Sequence, residues 1–133
     1  MTGADRPNTL SRRRLDRARR HLKAARDLLV HDDYADSVSR SYYAVFQAAR
    51  AVLATAQLES RKHSGVVSLF NRHFVKTGGV EKDLGAVLKD AWRNRELADY
   101  SDVAEFTKEE AEVQLRDAER FVEAVGTFLS QKE

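Results

Sequence analysis

The sequence predicts an all-α fold, an antiparallel bundle of about five helices, and three observations predict it. Apolar residues recur at three- and four-residue spacing in five separate stretches. Proline is nearly absent, and the single one, Pro7, lies outside the patterned region. The strong helix formers Ala, Leu, Arg and Glu are abundant throughout. A chain of 133 residues, 42 % hydrophobic and 33 % charged, suits one domain with a single core. Residues 1–133 therefore read as one domain, with 1–8 as a flexible tail; no repeat, linker or low-complexity segment interrupts it.

The first helix is expected from about Leu10 to Val30, where Leu15, Ala18, Leu22, Ala25 and Leu29 share a face. His31-Asp32-Asp33 reads as a turn and N-cap region. The second helix, about Tyr34 to Gln57, has Val38, Tyr42, Val45, Phe46, Ala49, Val52, Leu53 and Ala56 on a broad apolar face. Ser37, Ser41, Ala44, Ala48 and Ala51 line much of its other side. A helix that is apolar or small nearly all round is buried, so this is expected to be the central helix and part of a dimer interface. After the polar connection Leu58–His63, a third helix from about Ser64 to Lys76 turns Val66, Val67, Phe70 and Phe74 inward; Thr77-Gly78-Gly79 stops it. The fourth helix runs from about Lys82 to Tyr100. Thr107-Lys-Glu-Glu110 matches a capping box and opens a fifth helix to about Ser130, with Ala111, Leu115, Ala118, Val122, Val125 and Leu129 inward.

Composition excludes several classes of function. With no cysteine there are no disulfides, thiolate nucleophiles or cysteine metal sites. The four histidines have no metal-like spacing, so neither a metal nor a cofactor is expected. Gly78-Gly79 lacks the Lys-Ser/Thr of a phosphate-binding P-loop. No apolar run is long enough to cross a bilayer, and Met1–Leu10 holds no secretory signal; the expected location is cytoplasmic. The net charge of +2 is unevenly spread: residues 1–30 carry nine basic and three acidic side chains, residues 101–133 four and nine. The basic first helix either attracts phosphates or lies beside the acidic last helix.

The stretch RNRELADY, residues 93–100, carries the functional question. With successive side chains about 100° apart, Leu84, Val87, Leu88, Ala91 and Trp92 form the core face of the fourth helix, with Trp92 expected in the core. Arg95 continues that stripe and Asp99 lies near it, while Arg93, Glu96 and Tyr100 point elsewhere. Four residues apart, Arg95 and Asp99 can pair. A charge on a core face is costly unless it is paired. Two readings follow. The pair fastens the fourth helix to a neighbour through Tyr42 or Tyr43, or Arg95 lines a cleft and binds phosphate while Asp99 holds its guanidinium.

Three pieces of sequence, Ser39-Arg-Ser-Tyr-Tyr-Ala-Val-Phe through Leu53, Lys62-His63-Ser-Gly65 with Phe70 and Phe74, and Arg95-Glu-Leu-Ala-Asp99-Tyr100, together resemble the small stand-alone prokaryotic HEPN-domain proteins. The resemblance spans about residues 10–130. It implies a five-helix bundle that is usually a homodimer, and a minimal nucleotidyltransferase as partner in a toxin–antitoxin module. Many such proteins are metal-independent ribonucleases with an Arg-x(4–6)-His motif near a helix end. By this resemblance Arg95 matches the arginine. The histidine has no match: the corresponding positions hold Tyr100, Ser101 and Asp102, or Ala98, Asp99 and Tyr100 counted from Arg93, and no histidine follows His73. Cleavage by the 2′-hydroxyl needs a proton acceptor near neutral pH, so the departure counts against ribonuclease activity but not against binding of nucleotide or RNA. Some related modules are silenced by adenylylation of a tyrosine near this motif, which makes Tyr100 a weak candidate, since the surrounding pattern is incomplete.

The candidate binding residues are accordingly Arg95, Asp99, Tyr100, Lys62 and His63, with Arg95 and His63 the candidates for catalysis. His63 either supplies the missing imidazole or packs at the start of the third helix. Tyr43 and Arg50, seven residues apart, edge a cleft or pack inside. His21, His31 and His73 are expected at the surface. Two functions remain open: a HEPN-type nucleotide- or RNA-binding protein, or a non-catalytic interaction module in which the Arg95–Asp99 pair is structural.

Overall fold

A computed structural model of the chain describes residues 5–101 and 105–132, and the side chains from residue 9 onward. Five helices account for most of them: α1 (Asp5–Val30), α2 (Tyr34–Thr55), α3 (His63–Phe70), α4 (Lys82–Tyr100) and α5 (Lys108–Gln131), with a π-helical turn at Asn71–Val75 continuing α3. The described residues contain no strand.

The limits of α4 fall where the periodicity puts them, and Thr107 caps α5 through the full box: Glu110 N–H donates to the Thr107 hydroxyl and Thr107 N–H to the Glu110 carboxylate, both at 3.1 Å. Two other limits differ. The α1 helix begins at Asp5, so residues 5–8 of the expected tail are helical, while 1–4 lie outside the described residues. Pro7 sits in the first turn, where its missing N–H is no loss. The α2 helix stops at Thr55, two residues early, because the chain reverses at Gln57 with φ of 58°.

The second helix is central, packing against α1, α3, α4 and α5. Its small-residue side is not left for a second copy: Ser37, Ala44, Ala48 and Ala51 are fully buried against this chain's own elements, and α1 takes up most of that side. Two hydroxyls fix the antiparallel register between these helices. Ser11 donates to the Ala51 carbonyl at 2.7 Å and Ser37 to the Ala25 carbonyl at 2.8 Å. Such buried bonds satisfy both partners where water cannot reach.

On the far side, the π-helical turn lets α4 come close. A Cβ on Gly85 would collide with the Asn71 side chain, so the glycine and the irregular turn suit each other. The main core runs from Leu15 and Leu22 through Tyr42, Val45 and Val52 to Phe70, Leu88, Phe121 and Val125. Trp92 packs at its edge, half-buried rather than central. The expected contact between basic and acidic helices is real: α1 lies beside α5, and Arg26 pairs with Glu119 at 2.9 Å.

The arrangement leaves a groove. Helices α1 and α4 both pack on α2 and α5 but not on each other. With α5 covering one side of α2, its other side faces out between α1 and α4, carrying Ser39, Arg40, Tyr43 and Phe46.

Candidate functional site

Arg95 reaches into this groove from the last turns of α4. Its side chain is only 12 % exposed, and its charge is matched within its own helix: Nη1 lies 3.0 Å from Glu96 Oε1 and Nε 2.9 Å from Asp99 Oδ2. The Nε–H is not aligned for a hydrogen bond, so the Asp99 contact is an ion pair by distance. Asp99 is held in turn by the Ser39 hydroxyl, which donates to Oδ1 at 2.8 Å. Across the groove Nη2 donates to the Tyr43 hydroxyl at 3.0 Å and, at 3.4 Å, to that of Tyr100.

Three phenol rings surround the guanidinium, with centroids 5.8 Å (Tyr42), 5.6 Å (Tyr43) and 5.2 Å (Tyr100) from its central carbon. Ring faces attract a cation, more so when water is excluded. Burial works against the charge, but the Tyr43 hydrogen bond and the Asp99 carboxylate outweigh it and hold the Arg95 pKa above its ordinary value.

His63 enters from the start of α3. It shares a hydrogen bond with the Tyr42 hydroxyl through Nδ1 and stacks on Phe46 at 4.5 Å. Burial, and then the neighbouring Arg95 charge, lower its pKa, so the imidazole is neutral at neutral pH. Burial also raises the Tyr42 phenol above its usual range. The Tyr42 ring thus stands between Arg95 and His63, in contact with both. Gly65 of the Lys62-His63-Ser-Gly65 turn explains itself here: any Cβ would strike the Ser60 side chain.

The fold thus brings together Arg95, Asp99, Tyr100 and His63. Lys62 is exposed at the N-cap of α3, and its backbone contacts Ser60 rather than the arginine. Tyr43 borders the site, whereas Arg50 is tied up with Glu59 at 3.1 Å. His31 and His73 are at the surface as expected.

Three expectations need correction. Glu96 and Tyr100 do not point away: their side chains are long enough to return to Arg95 from neighbouring angles of the helix. His21 is not simply exposed; it packs 5.7 Å from the Tyr43 ring, with Arg40 Nη1 at 3.3 Å from its Nδ1. Burial lowers its pKa, and Arg40 and Arg17 add to the effect. A signal for His21 existed in the sequence. His21 and Tyr43 lie equally far from the turn at 31–33, and two antiparallel helices joined there must set them side by side.

No group of three or more His, Cys, Asp or Glu able to hold a metal occurs among the described residues. No described helix is long and apolar enough to cross a membrane. A separate open groove of about 670 Å³ runs between Gly78–Glu81 and the end of α5, where Arg120 is already paired with Asp83 at 2.6 Å.

A family model for the HEPN domain matches residues 11–128. A protein of Thermotoga maritima, named UPF0332 protein, is 40 % identical over 113 residues, 85 % of this chain and 86 % of its own length. One of Gloeobacter violaceus, also of the UPF0332 type, is 39 % identical over 118 residues, covering 88 % and 94 %. A third, from Methanocaldococcus jannaschii, is named "Putative toxin MJ0605" and is 37 % identical over 114 residues, covering 86 % and 84 %.

Proposed function

This chain belongs to the HEPN family, and we propose that it is the HEPN component of a toxin–antitoxin module that binds RNA or nucleotide phosphate at Arg95. The toxin in the name of an M. jannaschii relative supports the module. The family resemblance supports a homodimer and a minimal nucleotidyltransferase as partner.

One observation carries the reading. Arg95 is a cation set in a groove, ringed by aromatic faces and balanced by carboxylates of its own helix. A phosphate is the natural substitute for those carboxylates, because a guanidinium presents paired N–H donors that fit its oxygens. Tyr43 and Tyr100 offer hydroxyls beside it, and the exposed Tyr100 ring offers a base a face to stack on.

The motif histidine is missing after Arg95, which leaves His63 as the candidate general base for any RNA cleavage. If Nδ1–H donates to Tyr42, Nε2 is free to take a proton. The 2′-hydroxyl proton would pass to Nε2 as the O2′–P bond forms and the P–O5′ bond breaks, the departing 5′-oxygen taking a proton from solvent, while Arg95 offsets the charge that builds on phosphate.

The other reading, a non-catalytic module with a structural Arg95, is favoured by one fact: four side chains already contact that guanidinium by hydrogen bond or ion pair. The experiment that separates the two is incubation of free wild-type protein, Arg95→Ala and His63→Ala with RNA, reading binding by calorimetry and cleavage on a gel. Loss of binding in a folded Arg95→Ala supports the phosphate site. Unchanged binding refutes it. Cleavage that survives in His63→Ala removes His63 from the chemistry.

A further inference from the structure

The arginines of α1 divide into two sets. Those turned towards α5 or their own helix's acid are matched: Arg26 with Glu119 at 2.9 Å, Arg19 with Asp16 at 4.0 Å. Arg13, Arg17 and Arg20 are exposed and have no carboxylate partner among the described residues. At 100° per residue these three lie within about 60° of one another, a continuous stripe about 10 Å long.

The stripe adjoins the site. Arg17 stands one turn before His21, which touches Tyr43 and Arg40. Tyr43 is hydrogen-bonded to Arg95. Unmatched cations therefore run from Arg13 along α1 to Arg40 and end at the aromatic ring around Arg95.

We infer that this stripe is a second binding surface, which carries the phosphate backbone of single-stranded RNA to the Arg95 site, so that the ligand is an oligonucleotide rather than a free mononucleotide. The inference rests on the reading of Arg95 as a phosphate site. Two features favour RNA over an acidic protein face. Unmatched arginines attract a regularly charged strand through release of its counterions. Rings of graded exposure, Tyr43 and Tyr100, continue the track, and stacking platforms alternating with cations suit unpaired bases.

The test uses the full chain, an end-labelled single-stranded oligouridylate followed by fluorescence anisotropy, and adenosine monophosphate followed by calorimetry. The triple variant Arg13→Gln, Arg17→Gln, Arg20→Gln is compared with wild type and Arg95→Ala, each checked for folding by its thermal transition. The triple variant should bind the oligonucleotide about tenfold more weakly or worse, and its log affinity should fall with log salt by a slope shallower by about 2, since each single-strand phosphate contact contributes roughly 0.7. Its binding of the mononucleotide should be unchanged, whereas Arg95→Ala should lose both. Unchanged oligonucleotide affinity and slope in the triple variant overturn the inference and leave the stripe to an acidic protein surface, with the Arg95 site intact. A wild type that binds the mononucleotide but not the oligonucleotide overturns it as well. A wild type that binds neither removes the Arg95 reading together with it.

Discussion

Two largely covered arginines flank α2, and their different company separates a staple from a site. Arg14 on α1 is 7 % exposed; it donates to the Arg50 carbonyl at 3.0 Å and pairs with Glu59 at 2.7 Å. Its partners lie on α2 and on the loop after it, so the side chain ties three parts of the chain together. Arg50 pairs with the same Glu59, and the two arginines hold that carboxyl below its usual range against the opposing effect of burial. Arg95 is 12 % exposed, close to Arg14, yet both its carboxylates sit on its own helix and its cross-helix partners are neutral phenols. Similar burial thus conceals different roles. Arg14 ties the middle of the bundle together, whereas Arg95 can change partners with only the outer end of α4 affected.

The strongest way to break this comparison is to truncate both. Arg14→Ala takes its buried donor from the Arg50 carbonyl and one of two arginines from Glu59, and should cost about 2–3 kcal/mol, read as a lower urea midpoint at unchanged slope. Arg95→Ala should cost no more than about 1 kcal/mol, because the charges it abandons can turn to water, but should weaken RNA binding about tenfold or more. Equal losses of stability in the two variants would erase the distinction.

Acid provides an intermediate test. His63 has its pKa lowered in the folded protein by burial and Arg95, while the unfolded chain takes up the proton near 6.5. Below that pH the unfolded state binds more protons, so stability is full above about 6.5 and declines as pH falls. His63→Gln should therefore flatten the drop in melting temperature between neutral pH and about pH 5. His21, lowered for similar reasons, contributes to what remains. An unchanged drop would mean that His63 is not held neutral. The smallest effect is expected from Asp99→Asn, which removes one of the charges competing for Arg95. It should raise phosphate affinity a few-fold at a stability cost below about 1 kcal/mol. Weaker binding in that variant would instead make Asp99 the group that aims the arginine.

Much of this was legible because it is local. Helix limits follow from apolar spacing and from the Thr107–Glu110 box, and the Arg95–Asp99 pair follows from helix geometry alone. The part that was not legible depends on how helices meet. The small side of α2 looks like an interface in sequence, and it is one, but α1 covers it rather than another molecule. The close approach of Asn71, in the π-helical turn, to Gly85 on α4 is a contact that no window of sequence contains. His63 joins the site only because α3 starts over Phe46, and His21 only because α1 lies along α2.

The Ser39–Asp99 and Arg95–Tyr43 hydrogen bonds also tether the outer end of α4 to α2. Leu97 and Tyr100 on the same final turns are largely in solvent, 43 % and 69 % exposed, and offer that end little packing. A ligand that draws Arg95 away from Tyr43 should therefore loosen that helix terminus. Occupancy of the groove should then show as altered protection at residues 97–101, which backbone amide exchange can follow residue by residue.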